Sequence, residues 1–146
     1  MTTTTATTTI TSTLPAASAS RLYPVGRALL GSIFLISGAL KIAGFAGTAA
    51  WMASAGLPAA GLLLVATIAI EIGGGLTLIT GWNSRWGALA LALFLVPVTL
   101  IFHGFWSADS ANFQNQLNHF LKNVSIFGGM LTVFALESAR QKTTSR

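Results

Sequence analysis

Lys41, Glu71, His103 and Lys122, with the amide of Asn123 beside the last, each stand in or at the edge of a long apolar run. If those runs cross a bilayer, a charged side chain at mid-run costs about 2.5 to 3.5 kcal/mol, so such residues pair with one another or do work. An ammonium group in that setting binds anionic or carbonyl oxygens, and a carboxyl holds or passes a proton. His103, flanked by Phe102, Phe105 and Trp106, is suited to proton exchange near neutral pH, to hydrogen bonding a carbonyl, or to anchoring among interfacial aromatics. Burial and a nearby lysine act on the Glu71 carboxyl in opposite senses, which leaves its resting charge open. The chain has no cysteine, so thiol redox chemistry and thiolate metal sites are excluded. His103 and His119 are far apart in sequence with no carboxylate near them, and no metal site is expected.

The elements that position these residues follow from composition. Of 146 residues, 53% are hydrophobic and 8% charged, against about 25% charged in soluble domains. Too few polar groups remain to cover a water-exposed surface, so much of the surface faces lipid. Apolar runs near 24–46, 57–80, 86–105 and 120–136 predict four transmembrane helices and an all-α integral membrane four-helix bundle. Pro58 suits the opening of the second helix and Gly81 its end, while Pro97 is expected to kink the third. Residues 1–20 form a Thr/Ser-rich tail expected to be disordered, residues 21–138 the transmembrane domain, and residues 139–146 a basic C-terminal tail. The linker from Gly47 to Gly56, with Trp51 and Met52, is amphipathic enough to lie in the membrane interface. The Asn- and Gln-rich stretch 107–118, with Asp109, is expected to be an aqueous loop.

The formal charge of +5 is spread over residues that flank apolar runs, which is an orientation signal and not a nucleic-acid footprint. Arg21, Arg27, Arg85, Arg140, Lys142 and Arg146 fall on the side of the termini, and only Lys41 and Lys122 on the other. By the positive-inside rule the termini are cytoplasmic. Trp82 and Trp86 would then mark the inner interface, Trp51 and Trp106 the outer.

Antiparallel threading puts Lys41, His103 and Lys122 in one layer near the outer face. Glu71 lies deeper, roughly 20 Å along its helix from Leu57 at about 1.5 Å per residue, so pairing with Lys41 requires both side chains to reach. Glu71 shares a stripe with Gly74 and Gly75, Lys41 with Gly31, Ser37 and Gly38, and Lys122 with Ser125 and Gly129. Small residues mark close helix contact in membranes, so these polar groups are expected to face protein. Two readings fit: an ion pair that only fixes helix register, or a site for a polar head group or for protons, with lipid binding as a third.

Four segments in order, Gly26-Arg27 through Ser37-Gly38-Ala39-Leu40-Lys41-Ile42 to Phe45, then Glu71-Ile72-Gly73-Gly74-Gly75, then Ile101-Phe102-His103-Gly104-Phe105-Trp106, then Phe120-Leu121-Lys122-Asn123-Val124 with Gly128-Gly129, resemble the DoxX family of small four-helix bacterial membrane proteins. The resemblance covers about residues 21–137. It implies a bacterial inner-membrane location, and for some members a role as subunits of quinone-linked oxidoreductases, including thiosulfate:quinone oxidoreductase. It also implies candidate sites: Glu71 and His103 for proton handling, and Lys41, Lys122 and Asn123 for holding a ligand such as a quinone. Electrons would come from a membrane or peripheral partner, or from a bound cofactor. The rival readings are a carrier for a small solute or protons, which four short helices would build only as a homo-oligomer, and a non-catalytic scaffold.

Overall fold

The computed structural model describes residues 16–144, and all of their regular structure is helical. Helix α1 runs Ala16–Ala43, α2 Phe45–Ser54, α3 Ala60–Thr80, α4 Ser84–Phe102 and α5 Phe113–Thr144, with one 3-10 turn at Phe105–Ser107. Among the described residues four stretches are long and apolar enough to cross a membrane: Arg21–Ala43, Ala60–Thr80, Ser84–Ser107 and Phe113–Lys142. Leu29, Leu40, Leu62 and Leu93 are largely exposed on their outer faces. A surface of that kind is stable against hydrocarbon and not against water.

The spans pack in the order α1, α3, α4, α5, and α1 and α5 share the least contact of the spans that meet. Lipid tails give no hydrophobic drive between helices, so close backbone approach must hold them. At the crossing of α1 and α3, a Cβ on Gly31 would sit 2.7 Å from the carbonyl oxygen of Gly75, and one on Gly75 2.8 Å from that of Gly31. No larger residue fits either position without parting the helices. Phe34, Leu78, Leu91, Met130 and Val133 form the buried core toward the end that carries both termini. Helix α3 closes on Gly81, whose left-handed φ of 84° lets its N–H reach the Thr77 carbonyl, as that residue predicted.

The polar boundaries differ from the hydropathy reading. Helix α1 begins at Ala16, so residues 16–20 are helical where disorder was expected, and Pro24 lies inside the helix and not at its start. Helix α5 takes in 113–118 of the expected loop and 139–144 of the expected basic tail. Hydropathy marks what lipid accepts, whereas a helix once nucleated extends through Ala, Gln and Lys at little cost. Residues 1–15 of the N-terminal tail and 145–146 of the C-terminal one lie outside the described residues. Asp109 opens α5: its Oδ1 accepts the Asn112 N–H at 2.8 Å and its carbonyl accepts that of Phe113 at 2.8 Å. The Asn112 backbone amide, helped by its side chain, holds the exposed Asp109 carboxyl below the ordinary carboxylate range. The Gly47–Gly56 linker is largely helix α2, which folds back on α3 and buries Met52. Helix α4 passes through Pro97 without ending.

Candidate functional site

The stripe on α3 that carries Gly74, Gly75 and Leu78 also carries Glu71, so packing α3 into the bundle takes the carboxyl with it, to 5% exposure. On α1, Gly38 lies against Ile72 and Glu71, which brings Ser37 and Lys41 alongside the carboxyl. Lys41 Nζ donates to Glu71 Oε1 at 3.0 Å and to Ser37 Oγ at 2.6 Å, and the Ser37 hydroxyl donates to the same Oε1 at 3.2 Å. The two side chains that had to reach for each other do so, with serine bridging them. Glu71 Oε2 is buried and has no hydrogen-bond partner among the described residues.

This triad forms one wall of a cavity of about 260 Å³, at the small end of ligand pockets. Much of the remaining lining is apolar, including Phe34, Met52, Leu95, Phe102 and Ile126. Helix α2 contributes Met52 and Trp51, and the Trp51 ring stacks on Phe102 at 4.4 Å, tying α2 to α4. Asn123 is buried and donates to Thr99 Oγ1 at 3.1 Å, joining α5 to α4.

His103 also lines the cavity, and its Nδ1 meets Gln116 Oε1 at 3.2 Å. Sequence distance did not keep the two histidines apart: their rings stack at 5.0 Å. Lys122 lines the cavity but is exposed, and its Nζ donates to His119 Nδ1 at 3.0 Å. An ammonium group only donates, so that nitrogen of His119 must accept. Ser125, expected to share an inward stripe with Lys122, is exposed as well. No group of three or more His, Cys, Asp or Glu placed to hold a metal occurs among the described residues. All five residues singled out in the sequence therefore border one space, with Glu71 and Asn123 deep, Lys41 half-buried, and Lys122 on the rim.

The sequence did not disclose Thr99, Gln116 or His119 as partners, nor the second charged cluster at the other end. There Glu137 Oε1 accepts from Tyr23 Oη at 2.7 Å and from Arg27 at 3.2 Å, with Arg140 at 3.7 Å. Arg27 also donates to Ser84 Oγ at 3.2 Å. One signal for it was available: the chain holds only three acidic residues, so an acid at the end of an apolar run had to find one of the nearby arginines.

Four apolar spans with a lipid-compatible exterior and their deep charges turned inward define a multi-pass integral membrane protein. Its relatives make the class specific. The DoxX family profile matches residues 23–104, more than half of the chain, and the chain belongs to that family. It is similar to inner membrane protein YqjF of Escherichia coli (strain K12), 37% identical over 109 residues, covering 73% of this chain and 77% of that one. It is also similar to inner membrane protein YphA of the same organism, 29% identical over 110 residues, covering 75% and 79%. No solved structure matches. With relatives of that location and four spans, this is a multi-pass inner-membrane protein. The profile match includes Lys41, Glu71 and His103 and ends before Lys122 and Asn123.

Proposed function

We propose that the cavity receives the head group of a lipid-soluble quinone and that the chain serves as a subunit of a quinone-linked membrane oxidoreductase. The observation that carries this reading is the buried, unpartnered Oε2 of Glu71 in the wall of a largely apolar cavity. An unsatisfied buried acceptor costs about 1 to 3 kcal/mol, which a donor on a ligand in the cavity would relieve. A bound quinone supplies two-electron, two-proton chemistry. In this reading Lys41 holds a ligand oxygen, Glu71 and His103 accept and pass on protons at the inner wall and at the mouth, and Lys122 and Asn123 orient the ring. The electrons come from a partner protein.

Access from lipid fits the packing. Tyr23 and Arg27 bind Glu137, and Leu30 packs on Gly129, so α1 and α5 are joined toward the termini. The cavity is lined above that level by Ile33 on α1 and Ile126 on α5. Ile33 is about 15 Å along α1 from Tyr23 at ~1.5 Å per residue, near mid-bilayer. An apolar tail can leave there between the two neighbouring spans that share the least contact. A solute carrier fits less well, because the buried Leu78, Leu91 and Met130 fill the bundle beyond Glu71. By the positive-inside rule the termini are cytoplasmic and the cavity lies toward the outer face.

The test is purification in native lipid discs followed by solvent extraction and identification of co-purifying proteins. The expected result is quinone near one per chain together with a redox partner. A chain that emerges quinone-free and alone contradicts the proposal.

A further inference from the structure

The donors and acceptors around Glu71 do not treat the two redox forms of a quinone alike. Oε1 already accepts from Lys41 and Ser37, and Oε2 accepts from none of the described residues. The Ser37 hydroxyl spends its single proton on Glu71. Lys41 has three N–H donors and uses two, on Ser37 and Glu71. With Glu71 ionised in its pair with Lys41 at 3.0 Å, the wall therefore offers one free donor, an ammonium N–H, beside one empty acceptor, a carboxylate oxygen. A hydroxyl matches both: its oxygen accepts from Lys41 while its hydrogen goes to Oε2. A carbonyl matches only the first and sets its own lone pairs against those of Oε2, which then stays unsatisfied out of reach of water.

We infer that the Lys41–Glu71 wall selects the reduced, hydroquinone form of its ligand over the oxidised one. This rests on the cavity being a quinone site. Leaving a buried acceptor unfilled, and next to a like dipole, corresponds to at least about a tenfold difference in affinity. For a two-electron couple each tenfold preference for the reduced form raises the potential of the bound pair by about 30 mV. Such a site holds quinol once it has formed, or collects it from the membrane, and releases the oxidised ring readily.

The experiment compares binding of a short-chain ubiquinol and the matching ubiquinone to the full chain in lipid nanodiscs, the quinol kept reduced under anaerobic conditions. The wild type is expected to bind quinol at least tenfold more tightly. Glu71→Gln puts an amide, which also donates, against the ligand, and the preference is expected to shrink to about threefold or less. Thermal unfolding of the variant provides the folding control. Lys41→Gln, which removes the ammonium partner and keeps the carboxyl, serves as a second variant should Glu71→Gln not fold, and its preference is expected to fall as well. Equal affinity for the two forms in the wild type, or tighter binding of the quinone, overturns the inference while leaving the quinone site standing. Binding of neither form overturns both. A preference of the same size in both variants assigns it to other groups and overturns the role of this wall.

Discussion

The two ends of the bundle hold the same chemical pair, a carboxylate against a cation, and treat it differently. At the end with the termini one oxygen of Glu137 gathers Tyr23, Arg27 and Arg140, and Ser84 takes a further donor of Arg27. That cluster joins α1 and α5. At the far end Glu71 meets Lys41 and Ser37 with one oxygen and leaves the other bare beside a cavity. The first cluster leaves a buried donor over, Arg27 Nε, and the second a buried acceptor, Glu71 Oε2; what sets the second apart is that its residues line a cavity, which is the basis for proposing a ligand there. The comparison also fits the sparse contact between α1 and α5, whose polar joint is made at the end with the termini.

The largest effect expected from breaking this contrast is on stability at the closed end. Glu137→Gln leaves Arg27, whose side chain is only 11% exposed, without its counter-charge and should destabilise the protein by about 3 kcal/mol, seen as a lower unfolding midpoint in detergent. Glu71→Gln should cost less, about 1 to 2 kcal/mol, because half-buried Lys41 can turn to the mouth while the amide keeps one acceptor. A larger loss for Glu71→Gln than for Glu137→Gln would reverse the assignment of the two ends. Gly75→Ala should lie between them, about 2 to 3 kcal/mol, because its methyl meets the Gly31 carbonyl and the Leu35 amide. If α1 shifts to admit it, the Lys41–Glu71 contact lengthens, and ligand binding falls along with stability.

Smaller effects sharpen the picture at the mouth. Trp51→Ala removes a stacked ring worth about 0.5 to 1.5 kcal/mol, and amides of α2 should exchange with solvent faster while those of α3 do not change. Asp109 gives the smallest change, with a definite sign. Its carboxyl is depressed in the folded chain, so its contribution to the start of α5 is complete above the ordinary carboxylate pKa and is lost as pH falls through the lower folded value. The amides of Asn112 and Phe113 should stay protected down to about pH 4 and exchange faster only below it. Protection lost between pH 7 and 5 would contradict that cap.

Much of this architecture is visible in the sequence because lipid imposes a simple rule. Twenty or so apolar residues in a row have few alternatives to a span, and a charge within them has few alternatives to facing protein. Glu71 with Gly74 and Gly75, and Lys41 with Gly38, could be placed on packed faces from spacing alone. What spacing does not carry is depth at the rim. Lys122 sits on a helix whose first turns are polar, so its stem can reach the mouth, and nothing in the residue pattern separates rim from interior. The tie between His119 and Lys122 and the stack of His119 on His103 depend on α5 starting at Phe113, a boundary that hydropathy misses because Gln and Asn extend a helix as readily as they leave one. The fold of α2 over the cavity was half legible: its amphipathic character showed, its choice of Phe102 as a partner did not.

The most direct test of an open end opposed to a closed one is photolabelling in native membranes with a quinone carrying a photoreactive group on its ring, followed by mapping of the labelled peptides. Adducts should concentrate on the segments holding Ile33 to Lys41, Trp51 and Lys122 to Ile126, be competed by unlabelled quinone, fall sharply in Glu71→Gln, and persist in Tyr23→Phe at the closed end. Label spread evenly over the lipid-facing residues Leu62, Leu93 and Leu131, unaffected by competitor or by Glu71→Gln, would contradict a quinone site in this cavity.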